Sequence, residues 1–443
     1  MAKKIGFISL GCPKNQVDSE LMLKKLADAG YEIIDTPIGA DAVIINTCGF
    51  IEAAKQESID NIFEMAGYKE DGDVGKIIVV GCMAERYREE ILKEMPEVDA
   101  VAGIGANGDI VSFVDSVFEG KENMLFPEKE RLPLCGERLL TTPSYRAYLK
   151  IADGCSNCCT YCAIPKIRGP QRSRPIESIV EEAKRLASDG VKELTVIAQD
   201  TTRYGDDIYG EPKLDELLKQ LDVIDGIEWI RLLYCYPDRL TDSVLETMRD
   251  SKHVLHYIDL PLQHANGRIL KAMNRRGDSA SLLALIGKIR DYMPDCVIRT
   301  TFMTGFPGED DEAFNELSEF VNAARFDRLG CFAFSPEEGT AAADMTERPE
   351  KEVAEHRGEV IMDQQYKIFC EKQEELIGER VRCIVEDYDG YTDVYSGRTW
   401  RDAPEIDSGI FIISQRELDI GDFVDVEITD TKDYDLIGEV SDR

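Results

Sequence analysis

The chain has 443 residues, enough for two or three domains, and its 43% hydrophobic and 31% charged content is that of a globular protein. A formal net charge of −34 repels polyanions such as tRNA and attracts a basic partner. No apolar stretch reaches the length of a membrane span, and thirteen cysteines is an odd number for a disulfide framework.

The opening "MAKKIGFISLG" runs into a strand rather than an export leader, so a cytoplasmic location with thiols kept as ligands is expected. Residues 1–130 alternate apolar runs (Ile5–Leu10, Ala42–Ile45, Ile77–Val80, Val98–Ala102) with helical patterns (Val17–Ala29, Ile51–Met65, Ala84–Glu94, Gly108–Phe118). Such alternation predicts an α/β domain built on a doubly wound parallel sheet. Three runs end in cysteine: Cys12, Cys48 and Cys82. Strand ends of a parallel sheet share one edge, so these thiols are expected to converge and hold an iron–sulfur cluster with one iron open. One buried cysteine would mean little, because free Cys is often core. The literal G-x-G-x-x-G of Gly103–Gly108 follows the last strand of the unit, not the first, and is read as a turn rather than a dinucleotide site.

Residues 131–143 read as a linker in which Cys135 is incidental. Between 144 and 371 six further runs (Tyr145–Ile151, Leu194–Ala198, Trp229–Tyr234, His256–Leu260, Val297–Met303, Leu329–Phe334) alternate with helices such as Glu177–Ser188, Ser279–Arg290 and Asp311–Ala323. Six units fall short of the eight of a closed barrel, so a partial (β/α)6 barrel is predicted, with its chemistry at the carboxyl ends of the strands. The loop after its first strand reads "GCSNCCTYC". Cys155, Cys159 and Cys162, spaced C-x3-C-x2-C, suit three corners of a cubane whose fourth iron has no protein ligand. The rival reading, two CxxC pairs on zinc that use Cys158, needs a longer separation for two loops to close a tetrahedron. A charged helix, Glu350–Leu376, closes the segment. Residues 372–443 are short β-prone runs broken by Gly, Asp and Ser, the pattern of a small antiparallel barrel. With 8 Lys and Arg against 20 Asp and Glu, this segment has a net charge of −12.

The cysteine loop on a partial barrel resembles the radical S-adenosylmethionine (SAM) superfamily. An N-terminal three-cysteine domain and a C-terminal TRAM-like barrel narrow the resemblance to methylthiotransferases and extend it over essentially the whole chain. The strings "SLGCPKNQVDSE", "NTCGFIEAAKQESID", "LKIADGC", "VIAQDTTRYG", "LPLQH", "TGFPGE" and "GRTWRDAPEID" are similar to the RimO-type branch rather than to the tRNA-modifying branch, whose members share "GCQMN". The resemblance implies two 4Fe–4S clusters, on Cys155/Cys159/Cys162 and on Cys12/Cys48/Cys82. It also implies a reduced donor such as flavodoxin or ferredoxin, and a 5′-deoxyadenosyl radical made from SAM. That radical takes hydrogen from the β-carbon of an aspartate in small-subunit ribosomal protein twelve, free or on the ribosome. A methylated sulfur from the N-terminal cluster is then transferred, and the alternative substrate is tRNA. Cys158 departs from the pattern of relatives.

Further residues carry expectations of their own. Gly305 and Gly308 would let the backbone approach the adenine, while Gln199, Asp200 and Gln263 sit where the polar groups of SAM should lie. Within the basic island of Lys166, Arg168, Arg172 and Arg174, one or two are expected to hold a carboxylate. His264 is expected to be packed rather than metal-bound. Asp402, Glu405 and Asp407 are expected on the surface that docks the basic substrate.

Overall fold

In the computed structural model residues 2–441 are described. Met1, at the start of the first expected domain, and Asp442 and Arg443, at the end of the last, lie outside the described residues. The first domain is a six-stranded parallel sheet of β1 (Lys4–Ser9), β2 (Glu32–Ile34), β3 (Ala42–Thr47), β4 (Ile77–Gly81), β5 (Ala100–Ala102) and β6 (Met124–Leu125), in the order β2-β1-β3-β4-β5-β6. Val43, Ile45, Ile77 and Val79 bury one face, and Ala42, Ile44, Ile78 and Val80 the other. Burial on both faces is what a parallel sheet under two helical layers requires. The helix expected over Ala84–Glu94 is two, Cys82–Tyr87 and Glu89–Glu94, broken where Arg88 takes φ +47°. The glycine-rich stretch forms a 3-10 turn, Ile104–Asp109. A Cβ on Gly103 would meet Glu85 Oε2 at 2.2 Å and one on Gly105 would meet Glu128 O at 2.4 Å, so these glycines serve close packing.

The central domain begins with β7 (Arg146–Lys150), which leads into β8 (Ala152–Asp153). β8 pairs antiparallel with β9 (Arg172–Ser173) and pinches the base of the cysteine loop. β10 (Glu193–Ile197), β11 (Trp229–Leu232), β12 (Val254–Asp259), β13 (Val297–Thr304) and β14 (Arg328–Ala333) complete a parallel six-stranded sheet, with neighbours in sequence order and β7 and β14 as free edges. This is the open (β/α)6 barrel. Alternate residues such as Ala147, Leu149, Leu194 and Val196 pack against the outer helices. The residues between them, including Tyr148, Ile197, Trp229 and Tyr257, face a second cluster that also receives Ile384 and Ala403 of the C-terminal domain. The long helix Lys351–Glu374 crosses the expected division at residue 371.

The C-terminal domain is a closed barrel of β15 (Arg380–Asp389), β16 (Val394–Thr399), β17 (Ile410–Ile413), β18 (Phe423–Lys432) and β19 (Asp435–Val440), in the order β15-β16-β17-β19-β18. It is not wholly antiparallel, because β17 and β19 run parallel. Alternating directions cannot close a ring with an odd number of strands, so one like-directed pair is forced.

The segment Trp400–Asp407, between β16 and β17, enters the open barrel at the end opposite the cysteine loop. Asp402 pairs with Arg328 at the start of β14 and is 1% exposed. Glu405 accepts from Arg146 Nη2 at 2.6 Å and Tyr148 Oη at 3.0 Å, and Asp407 accepts from Tyr257 Oη at 2.6 Å. Asp402 and Asp407 are therefore buried and do not form the outer docking surface expected of them, whereas Glu405 keeps 56% of its side chain exposed while pairing with Arg146. The positive lumen of the central domain turned Asp402 and Asp407 inward. No helix among the described residues is long and apolar enough to cross a membrane.

Candidate active site

Six cysteines line one cavity of about 340 Å³: Cys12, Cys48 and Cys82 on the N-terminal side, and Cys155, Cys159 and Cys162 on the central side. Gln199, Gln263, Lys14, Arg168 and Arg275 share its wall, closed by Phe50, Tyr161, Ile164, Tyr234 and Tyr236. All six thiols are free.

Local sequence explains the N-terminal triplet. Each cysteine has a glycine neighbour where strand ends approach closely. A Cβ on Gly11 would lie 2.9 Å from Cys48 Sγ, one on Gly49 would lie 2.8 Å from Met83 Cα, and one on Gly81 would lie 2.3 Å from Asn46 Oδ1. Gly11 and Gly81 also take φ of +89° and +96°, which side chains resist. Cys12 caps the helix Pro13–Asp28 and Cys82 opens the helix Cys82–Tyr87, so both stand at positive helix ends. Asn15, buried, donates to Leu10 O at 2.7 Å and ties this helix to β1, while the Cys48 amide donates to Ser58 Oγ at 3.1 Å.

On the other wall the Cys155 amide donates to Gly169 O at 3.1 Å, and the Thr160 amide to Met273 O at 3.1 Å, which pins the loop at its base and crown. Cys158 is exposed and lies off the cavity. Burial pushes the Cys82 and Cys162 thiols up to about 12 and Cys155 to about 11, and raises Cys48 as well. Thiols of this kind stay protonated in water and release their protons to solvent when a metal takes their place.

Two guanidiniums aim at sulfur. Arg168 Nη2 is 3.4 Å from Cys82 Sγ, and Arg275 Nη1 is 3.8 Å from Cys159 Sγ. Arg168 belongs to a buried lattice with Asp18 (2.9 Å), Asp153 (2.7 Å) and Lys150, which joins the first two domains beneath the cavity. Gln199 Oε1 is buried without a donor. Tyr234 and Gln263 follow β11 and β12 with φ of +60° and +72°, a strain that side chains accept at functional positions. Lys14 is 5% exposed, its Nζ 2.9 Å from the centroid of the Tyr234 ring, and burial pulls its ammonium down to about 8.

The other expected residues lie elsewhere. Gly305 is off the cavity, and a Cβ there would meet Ala354 Cβ at 2.2 Å, so helix packing accounts for this glycine. Gly308 sits beside Arg268, also off the wall. Asp200 accepts from Asn157 Nδ2 at 2.7 Å and steadies the cysteine loop from behind. Of the basic island only Arg168 reaches the cavity. Arg174 pairs with Glu182 at 2.6 Å, Arg172 donates to Leu132 O at 3.3 Å, and Lys166 donates to Gly339 O. His264, fully buried, accepts the Asn266 amide at Nδ1 (2.9 Å) and lies 3.2 Å from Glu309 through Nε2, so it is packed and hydrogen-bonded. Sequence reasoning passed over Lys14, Tyr234, Tyr236 and Arg275. For Lys14 the one available signal was its place two residues after Cys12.

The donor set fits iron–sulfur chemistry: two thiol triplets, N–H donors on the sulfurs, and an apolar rim.

Residues 149–321 match the radical SAM superfamily, 377–440 match the TRAM domain, and 4–103 match the family described as "Uncharacterized protein family UPF0004". A protein of Desulforamulus reducens named ribosomal protein uS12 methylthiotransferase RimO is 49% identical over 444 residues, covering 99% of each chain. Proteins of the same name from Clostridioides difficile and Geobacter sulfurreducens are 46% and 44% identical, covering 99% of this chain and 98% of theirs. In fold the chain is similar to the radical SAM methyltransferase TsrM of Kitasatospora setae, solved with cobalamin and a 4Fe–4S cluster (TM-score 0.60, 11% identity, 77% of each chain).

Proposed function

The chain belongs to the RimO family of ribosomal protein uS12 methylthiotransferases, and on that premise we propose that it places a methylthio group on the β-carbon of an aspartate in uS12. The observation that carries this reading is that both cysteine triplets open onto one cavity. Cys155, Cys159 and Cys162 would hold one 4Fe–4S cluster, and Cys12, Cys48 and Cys82 a second. When bound, the clusters and SAM supply the electron, the 5′-deoxyadenosyl radical and the methylated sulfur, the hard chemistry for which a protein supplies position and electrostatics.

The chain's own residues do the rest. Gln199 and Gln263 offer polar contacts to SAM from the strand ends, and the unmatched Gln199 Oε1 awaits a donor. Phe50, Tyr161, Ile164, Tyr234 and Tyr236 make much of the wall apolar and keep bulk water from the space the clusters and SAM would fill. Arg168 and Arg275 donate toward Cys82 and Cys159 and offset the negative charge of thiolate-bound iron.

The C-terminal barrel supplies the partner surface. With Asp402 and Asp407 buried and Glu405 committed to Arg146, docking falls to outward acids such as Asp387, Asp389, Asp393, Asp425, Glu427 and Asp430. A ribosomal protein, basic because it sits in RNA, is drawn to this face, and tRNA is repelled. A cytoplasmic donor such as flavodoxin or ferredoxin would provide the electron. The test is anaerobic incubation of the reconstituted protein with SAM, sulfide, uS12 and tRNA, followed by mass spectrometry. A methylthio mass increase on an aspartate of uS12 is expected; modification confined to tRNA would overturn the reading.

A further inference from the structure

Three cations line the cavity, and two of them are engaged. Arg168 pairs with Asp18 and Asp153, and Arg275 donates to Pro261 O at 2.6 Å while stacking on Tyr236. Lys14 makes no hydrogen bond or ion pair among the described residues, and only the face of the Tyr234 ring meets its Nζ. The nearby carboxylates are committed. Asp259 takes Arg299 at 2.9 Å and the Tyr234 amide at 3.0 Å, and Asp153 takes Lys150 at 3.1 Å and Arg168 at 2.7 Å. A buried charge without a counter-ion is costly, and an aromatic face offsets only part of that cost. Cys12, two residues away, is the nearest anionic group once ligated, but it takes no hydrogen bond from Nζ, so the N–H donors of Lys14 are left for a ligand that brings a carboxylate.

Resting on the function proposed above, we propose that Lys14 receives the side-chain carboxylate of the substrate aspartate and thereby selects aspartate over asparagine. The chemistry favours this occupant. The carboxylate is bonded directly to the β-carbon, so a cation that fixes it also fixes the carbon that loses hydrogen and gains sulfur. Lys14 stands two residues from Cys12, on the wall of the N-terminal triplet. An asparagine amide is isosteric but brings no charge to pair with the ammonium, the kind of difference a polar site discriminates strongly. SAM carries a carboxylate too, and the experiment separates the two sources.

Full-length reconstituted wild type, Lys14→Met and Lys14→Arg are compared on uS12 and on its variant with asparagine at the modified aspartate. Lys14→Met should lose about 100-fold in kcat/KM on uS12, within the range for truncating one partner of a buried charge pair between two molecules. It should keep wild-type iron content, SAM affinity and 5′-deoxyadenosine formation, and its preference for aspartate over asparagine should collapse. Lys14→Arg should recover part of the rate. In the wild type, uS12 should shield Lys14 from reductive methylation, and the asparagine variant should not. A Lys14→Met enzyme with unchanged kcat/KM and preference would overturn the inference, and so would Lys14 methylated equally fast with and without uS12, a result independent of how any variant folds. Loss of SAM affinity in Lys14→Met would assign the carboxylate to SAM and overturn the substrate form. A wild type that leaves uS12 unmodified overturns the function reading first, and this inference with it.

Discussion

Arg168 Nη2 stands 3.4 Å from Cys82 Sγ, so a side chain from the segment that carries Cys155, Cys159 and Cys162 ends on a thiol of the other triplet. The same guanidinium neutralises Asp18 and Asp153, buried carboxylates of the first and second domains. One residue therefore ties together a domain junction, a charge lattice and a thiol of the cavity wall.

Arg168→Met should leave Asp18 and Asp153 short of a cation and cost about 3–5 kcal/mol. Removal of an N–H donor from the sulfur should also make the N-terminal cluster harder to reduce, with the other cluster little changed. Denaturant melts and redox titrations followed by electron paramagnetic resonance check both effects. An unchanged potential would dissociate Arg168 from cluster tuning.

Replacement of Cys12, Cys48 and Cys82 together by alanine should halve the iron bound after anaerobic reconstitution. Reductive cleavage of SAM should survive and methylthiolation should be lost. Retention of the full iron content by this variant would refute the N-terminal ligand set.

Cys155→Ala, Cys159→Ala and Cys162→Ala should each abolish 5′-deoxyadenosine formation, whereas Cys158→Ala should retain most of it, since Cys158 is exposed and off the cavity. The opposite ranking of Cys158 and Cys159 would reassign the ligand. Product chromatography under anaerobic conditions gives the answer.

Glu193 on β10 accepts from Arg398 at 2.6 Å and Arg231 at 3.1 Å, and so fastens the C-terminal barrel to the central lumen. Burial alone would raise its carboxyl, but the Arg398 and Arg231 guanidiniums hold it below the usual value of 4.5. A depressed folded pKa means that its stabilisation is complete above the usual value and is lost as pH falls through the lower, folded one. Docking should therefore survive at pH 5 and weaken only in stronger acid, with Glu193→Gln weakening it at neutral pH. Limited proteolysis near residue 376 across a pH series reads this directly; equal cleavage of both proteins at neutral pH would remove Glu193 from the interface.

Reversal of Asp387, Asp389, Asp425 and Glu427 to lysine should weaken uS12 binding and flatten its dependence on salt, while SAM cleavage persists. If binding is unaffected, uS12 docks on another face.

The sequence made most strands of the three domains legible because alternation and apolar runs report burial, and it picked out the two cysteine triplets, which the structure brings to one cavity, because spacing and strand-end position report convergence. β2 and β6, with three and two residues, carry too short a pattern to be seen. The break at Arg88 was hidden because helical periodicity continues across it. Acidic composition pointed to a basic partner but not to the direction of each carboxylate: Asp402 and Asp407 face inward only because Arg328, Arg299 and Tyr257 lie on strands distant in sequence. Lys14 was passed over for a related reason, since the lack of a counter-ion is a property of the assembled cavity.

The inward reach of Trp400–Asp407 bears on how such enzymes can be recombined. A C-terminal barrel that hung from a tether could be exchanged among relatives freely. This one carries a key cut for a particular lock, with Asp402, Glu405 and Asp407 as its teeth and Arg328, Arg146 and Tyr257 as the wards. A chimaera that imports a foreign barrel should fold with its new partner only when those three positions of the host travel with it.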